Sequence, residues 1–168
     1  MKFLKGWIIH SLKTTASISW FDQTQQLIYK ILIPLTKVKR HIKYIIVHST
    51  ATFDPKISQY YGTFHYVVER NGEIKRVHPD SEIVKNVSDF DNDAIQIAYV
   101  GGRNKTGNLG DTRTPVQEEA LFNKLVALSV KYPSARIMGH DECEAAANCP
   151  GFSVREWLKN YEPEIALA

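Results

Sequence analysis

Stretches of unbroken, alternating and helically spaced apolar residues succeed one another along this chain, and the changes between them predict its elements. Ile42–His48, with Tyr-Ile-Ile-Val at 44–47, is almost continuously apolar and reads as a buried strand ending on a histidine. Thr50–Gly62 reads as a loop or short helix. Phe64–Arg70 and Glu73–Val77 flank Asn71-Gly72, a pair that supplies the positive φ angles of a tight turn, so a hairpin is expected. Ala94–Val100 alternates in part and stops at Gly101-Gly102, and Arg136–Gly139 is a shorter strand that also stops at glycine.

Two helices are punctuated clearly. Thr114-Pro115-Val116-Gln117 is a capping box with proline at the first helical position, and the helix runs to about Tyr132, ahead of Pro133. Val116, Leu121, Leu125 and Leu128 are expected to form its core face. Ser153-Val154-Arg155-Glu156 is a second capping box, opening a short helix through Tyr161. Near the start, Leu27, Ile28, Ile31 and Leu32 share a helical spacing within Gln23–Leu35, and Pro34 ends that segment. Strands interleaved with helices predict an α/β fold, a single domain with a central mixed β-sheet flanked by helices. The expected divisions are an N-terminal arm or helix over 1–40, the domain over 41–162 and a tail over 163–168.

Composition changes this picture little. At 168 residues one domain can bury roughly 70% of its unfolded surface. A formal charge of +3 fits ordinary solubility or an anionic partner such as cell wall, and no basic stripe with interleaved aromatics points to nucleic acid. Met1–Ile9 is basic then apolar, but His10 and Lys13 interrupt the stretch, which argues against a signal peptide and against stable membrane insertion. A monomer is expected.

The chemistry concentrates on His48, His140 and Cys149. Both histidines close apolar runs, and Cys149 opens a Cys-Pro-Gly turn nine residues after His140. Two imidazoles and a thiolate suit Zn²⁺, and three protein ligands leave a position for water or substrate. Cys143 and Cys149 do not make a disulfide framework, and pairing them would consume the proposed thiolate. Asp89, Asp91 and Asp93 read as a solvated loop, without the glycine and distal glutamate of a calcium loop. His65 sits mid-strand and reads as structural or substrate-lining, and Cys143 as a small buried residue.

Ile-Ile-Val-His-Ser-Thr-Ala-Thr (45–52), Phe-His-Tyr-Val-Val-Glu-Arg-Asn-Gly (64–72), Ala-Tyr-Val-Gly-Gly (98–102), Thr-Pro-Val-Gln (114–117), Gly-His-Asp-Glu (139–142) and Cys-Pro-Gly-Phe (149–152) follow one another in the chain. In this order they resemble the zinc-dependent N-acetylmuramoyl-L-alanine amidases, which include phage lysozyme-amidases and animal peptidoglycan-recognition proteins. The resemblance covers roughly Ile42–Trp157. It implies that His48, His140 and Cys149 occupy the positions of the family's zinc ligands. It also implies hydrolysis of the amide between the muramic acid lactyl carbonyl and L-alanine, with peptidoglycan or muropeptides as partners. A protein made in the cytoplasm and acting in the periplasm or at the cell wall, as endolysins do, fits better than signal-peptide export.

The chain departs from the family at two positions. Phe64 stands where a tyrosine usually precedes the second-strand histidine, and Ala147 where a lysine or threonine usually precedes the last ligand. Neither can donate a hydrogen bond to an oxyanion, a role typically worth about 3 kcal/mol per donor. Substitutes are therefore sought among neighbours. Tyr60, Tyr61 or Tyr66 would offer a hydroxyl and Asp141, Glu142 or Glu144 a base; alternation along the strand would turn Tyr66 to the face of Phe64, so Tyr66 and Glu142 are the expected catalytic pair, with Phe64 and His65 lining the substrate. The alternatives are a protein that holds muropeptide without cutting it, and an interaction protein that works through its basic N-terminal arm.

Overall fold

The computed structural model describes residues 40–52 and 62–161. The readings placed on Gln23–Leu35, on the first nine residues, on 163–168 and on most of 50–62 lie outside them. Five strands form one sheet in the order β3-β2-β4-β1-β5. They are β1 (Tyr44–Ser49), β2 (Tyr66–Val68), β3 (Ile74–Arg76), β4 (Ala94–Tyr99) and β5 (Arg136–Gly139). β1 pairs in parallel with β4 and with β5, and β2 in parallel with β4. β3 is the antiparallel edge, hairpinned to β2. The sheet is therefore mixed, and two helices, α1 (Pro115–Lys131) and α2 (Val154–Lys159), accompany it. No helix among the described residues is long and apolar enough to cross a membrane.

The period-2 pattern sorts the strand residues onto two faces. Ile45, Val47, Tyr66, Val68, Ile95, Ile97 and Tyr99 pack with Leu121, Leu125 and Leu128 of α1 and with Val154 and Trp157 of α2. The opposite face carries Ile46, Ala94 and Met138 beside Val87, and Phe64 with Val67, Ala98 and Val100. Ile45, Ile97, Leu121 and Leu125 are completely buried. Their burial supplies the apolar area that stabilises the domain, at about 25 cal/mol per Å².

α1 starts as expected. The Thr114 side chain accepts from the Gln117 N–H (3.2 Å), and the Thr114 N–H donates to Gln117 Oε1 (3.0 Å). Gln117 does more than cap, since its Nε2 donates to the carbonyls of Val68 (3.1 Å) and Val100 (3.0 Å) at the ends of β2 and β4. That role takes the first place on the core stripe. Val116 consequently points outward at 49% exposure, and Phe122 is the further buried apolar residue of this helix. α2 is capped by Ser153 and ends at Lys159, two residues short of the expected Tyr161. In the hairpin Gly72 alone has positive φ (84°), and Asn71 instead accepts the Glu73 N–H through its side chain. The Gly72 N–H donates to the Glu69 carbonyl and the Glu69 N–H to the Glu73 carbonyl, so the loop is longer than a two-residue turn.

Candidate metal centre

Strand register brings the first two candidate ligands together. β1 and β5 run in parallel with Val47 opposite Gly139, so the next residue on each is a histidine. The His48 and His140 rings lie 4.8 Å apart between centroids. Cys149 reaches the same point from the loop after β5. The Asp141 N–H donates to its carbonyl (2.7 Å) and the Tyr99 hydroxyl to that of Pro150 (2.7 Å), which seats the turn against β4. Gly151 has φ +92°, a conformation suited to glycine, and a Cβ there would collide with the Gly110 backbone. One donor atom from each of His48, His140 and Cys149 lies within 4.8 Å of the others, and no other such cluster occurs among the described residues.

Each donor is prepared for a cation. His48 is buried, and burial above all holds its imidazole neutral, with a pKa of about 3. Its Nε2 sits 2.8 Å from Gln96 Oε1, and its Nδ1 faces Cys149 Sγ at 3.8 Å. His140 Nε2 is buried without a hydrogen-bond partner; Glu144 Oε2 stands 3.4 Å from it, outside hydrogen-bonding geometry. An orphaned buried ring nitrogen is costly unless something occupies it. Burial pushes the Cys149 thiol up, against the Ser49 N–H, which points at Sγ from 3.3 Å. A cation would displace the thiol proton, and that N–H would then face a thiolate. The donor set, two imidazoles and one sulfur, fits Zn²⁺.

Three sequence-based assignments change. Tyr66 does not share a face with Phe64. The chain bends at His65, so strand alternation begins only at Tyr66 and does not extend back to Phe64. Phe64 packs its ring on His48, centroids 5.4 Å apart, whereas Tyr66 lies on the helix face with its hydroxyl on Asp80 Oδ1 (2.5 Å) and Lys124 over its ring. Glu142 is occupied elsewhere. Its Oε1 accepts the Gly139 N–H (3.0 Å), and its Oε2 meets Arg136 (3.1 Å) and Arg155 (3.4 Å). Of the three acidic residues after His140, Glu144 is the one with a carboxylate oxygen near a His140 ring nitrogen, 3.4 Å from Nε2. His65 is fully buried rather than substrate-lining: Nδ1 accepts the Gln96 N–H (3.0 Å) and Nε2 lies 3.1 Å from the Glu82 carbonyl.

Sequence reasoning missed the polar layer behind the site. Asp91 is not solvated; it is buried, and its Oδ1 accepts the N–H groups of Asn86 (3.0 Å) and Val87 (2.8 Å). Arg40, read as the last residue of the arm, is bound into the domain. Its guanidinium donates to the carbonyls of Asp80, Glu82, Asp91, Asn92 and Ala94. Cys143 and Cys149 are both free, and the Cys143 thiol leans on the Gly139 carbonyl (3.6 Å).

Residues 38–152 match the N-acetylmuramoyl-L-alanine amidase family model. The chain belongs to that family. It is 28% identical over 99 residues to the endolysin of Klebsiella phage KP32, a match spanning 59% of this chain and 65% of that protein. Among solved structures it resembles the Ph2119 endolysin from a Thermus scotoductus bacteriophage, at 25% identity and TM-score 0.60, covering 72% of this chain and 85% of that one. The amidase LysC from Clostridium intestinale superposes with TM-score 0.63 at 19% identity, over 73% and 86% of the two chains, a likeness of fold. The amidase and peptidoglycan-recognition fold expected from the motifs is the one found.

Proposed function

We propose that this amidase-family chain hydrolyses the amide between N-acetylmuramic acid and L-alanine in peptidoglycan, with Zn²⁺ held by His48, His140 and Cys149. The observation that carries this reading is the convergence of one donor atom from each of His48, His140 and Cys149 at the carboxyl ends of β1 and β5. The bound cation would supply Lewis acidity toward the scissile carbonyl and lower the pKa of a water toward about 7. The chain's own residues supply the rest. Ser49 holds the sulfur through its N–H, and Phe64 packs on the His48 ring. Glu144, whose Oε2 lies 3.4 Å from His140 Nε2, would take the proton of the attacking water and return it to the departing L-alanine nitrogen. The muramoyl peptide of the wall is the substrate, which puts the site of action at the cell wall.

A second reading keeps the site and drops the cutting. Phe64 and Ala147 offer no hydrogen-bond donor where the family places them, which favours a protein that holds muropeptide intact. One experiment separates the two. Stem-peptide release from purified peptidoglycan is followed for the zinc-loaded protein, Cys149→Ala and Glu144→Gln. Hydrolysis predicts new L-alanine amino termini from the wild type and none from Cys149→Ala. Glu144→Gln should bind zinc normally and cut about 10²–10⁴-fold more slowly. Stoichiometric zinc with no release, and muropeptide binding by calorimetry, would hand the site to the second reading.

A further inference from the structure

Gln96 is a fully buried amide in the middle of an otherwise apolar strand, Ala-Ile-Gln-Ile-Ala-Tyr. A buried amide destabilises unless its oxygen and nitrogen are both engaged. One arm of this amide faces His48 Nε2 at 2.8 Å and the other faces Asp91 Oδ1 at 3.3 Å. Asp91 Oδ1 already accepts two backbone N–H groups and so faces Gln96 as an acceptor. The arm facing Asp91 must therefore be the NH₂, because an amide oxygen there would set acceptor against acceptor. That leaves the amide carbonyl on His48. A carbonyl only accepts, so the proton of the neutral His48 ring belongs on Nε2, and the lone pair on Nδ1 points toward Cys149 Sγ.

We propose that Gln96 is a positioning residue, fixing His48 as the Nε2–H tautomer so that Nδ1 is presented bare to the metal. The inference rests on the reading of His48 as a ligand. The relay runs from the Asn86 and Val87 N–H groups through Asp91 and Gln96 to His48, across four separate points of the chain. Arg40 closes its outer end by donating to the Asp91 carbonyl (2.8 Å). Hydrogen-bond partners of this kind orient the ring and raise the basicity of the donor nitrogen.

The test reads tautomer and metal affinity rather than catalysis. In the metal-free wild type, ¹⁵N spectra of the histidine rings should show His48 protonated at Nε2 and bare at Nδ1; a proton on Nδ1 overturns the proposal outright. Zinc affinity, from competition with a chromophoric chelator, should fall about 10–100-fold in Gln96→Leu, which removes the acceptor. Gln96→Glu keeps an acceptor toward His48 when its second oxygen holds a proton shared with Asp91 Oδ1, and it should then bind zinc within a few-fold of wild type, a rescue that a purely space-filling role would not produce. Wild-type affinity in Gln96→Leu, or equal losses in Leu and Glu variants that melt like the wild type, would sink it. If Gln96→Leu fails to fold, the wild-type spectrum and the Gln96→Glu affinity still decide. An Nε2–H tautomer and tight zinc in a protein that releases no stem peptide would overturn only the proposed hydrolysis.

Discussion

The two faces of one sheet are built on different physics. Under α1 and α2 the strands present Ile45, Val47, Ile95 and Ile97 to leucines and Trp157, and shape and area do the work. On the other face the same strands present His48 and Gln96, which are held by partners of fixed direction. An apolar face tolerates neighbours of similar size, because dispersion and burial are nearly non-directional. A hydrogen-bonded face does not, since a lost partner strands a buried polar group. Stability should therefore reside mainly under the helices and metal competence mainly on the opposite side.

The sharpest way to break that division is Leu125→Ala. It should cost about 2–5 kcal/mol in denaturant unfolding while the folded fraction binds zinc as before. A comparable loss of zinc affinity would show that the faces are coupled through the strands.

Acid separates the faces by window. Burial holds His65 neutral, with a pKa of about 4 against an ordinary 6.5. Its unfolded form takes up a proton first, so stability falls as pH drops from 6.5 to about 4, by roughly 3 kcal/mol in all. His48 adds to the same limb in the metal-free protein and continues it to about 3. On the helix face Asp80 is subject to burial that would raise its pKa, but Lys131, Tyr66 and Tyr132 outweigh this and bring it to about 2. Its contribution is present above its ordinary 3.8 and lost between there and about 2. In metal-free protein His65→Asn should flatten the limb above pH 4 by up to one proton, whereas Asp80→Asn should lower stability evenly above pH 4 and flatten only the slope below it. Urea unfolding across pH checks both; an unchanged upper slope in His65→Asn would remove His65 as its source.

The smallest expected effect is Tyr66→Phe. Removing the hydroxyl from Asp80 should lower stability by about 1 kcal/mol and leave peptide release unchanged. A large drop in turnover would return Tyr66 to the active site and contradict the assignment of faces.

The elements were legible because their signals are local. Tyr-Ile-Ile-Val, the Thr114 capping box and the Cys-Pro-Gly turn each announce themselves within a few residues. The candidate ligands were legible for a related reason, since His48 sits one residue before the end of β1 and His140 directly follows β5, each at the close of an apolar run. Part of what escaped was set by partners distant in the chain. Gln96 and His48 are 48 residues apart, and nothing near either identifies the other. Asp91 looked solvated because its neighbours Asp89 and Asp93 carry the same charge, although only Asp91 turns inward to backbone N–H groups. The bend at His65 defeated strict alternation, and so Tyr66 was assigned to the wrong face. Gln96 did leave one trace, a lone amide within an apolar strand, on the same parity as Ala94 and Ala98.

Arg40 has a practical meaning for whoever trims this protein. The start of the domain is marked by a side chain and not by the first strand, because one guanidinium gathers carbonyls from across residues 80–94. Fragments beginning at 40 and at 41 differ by one residue on paper. In the second, the stretch that backs His48 and Gln96 would lose its clasp, and a deletion series stepping past this point would mistake a missing clasp for a missing arm.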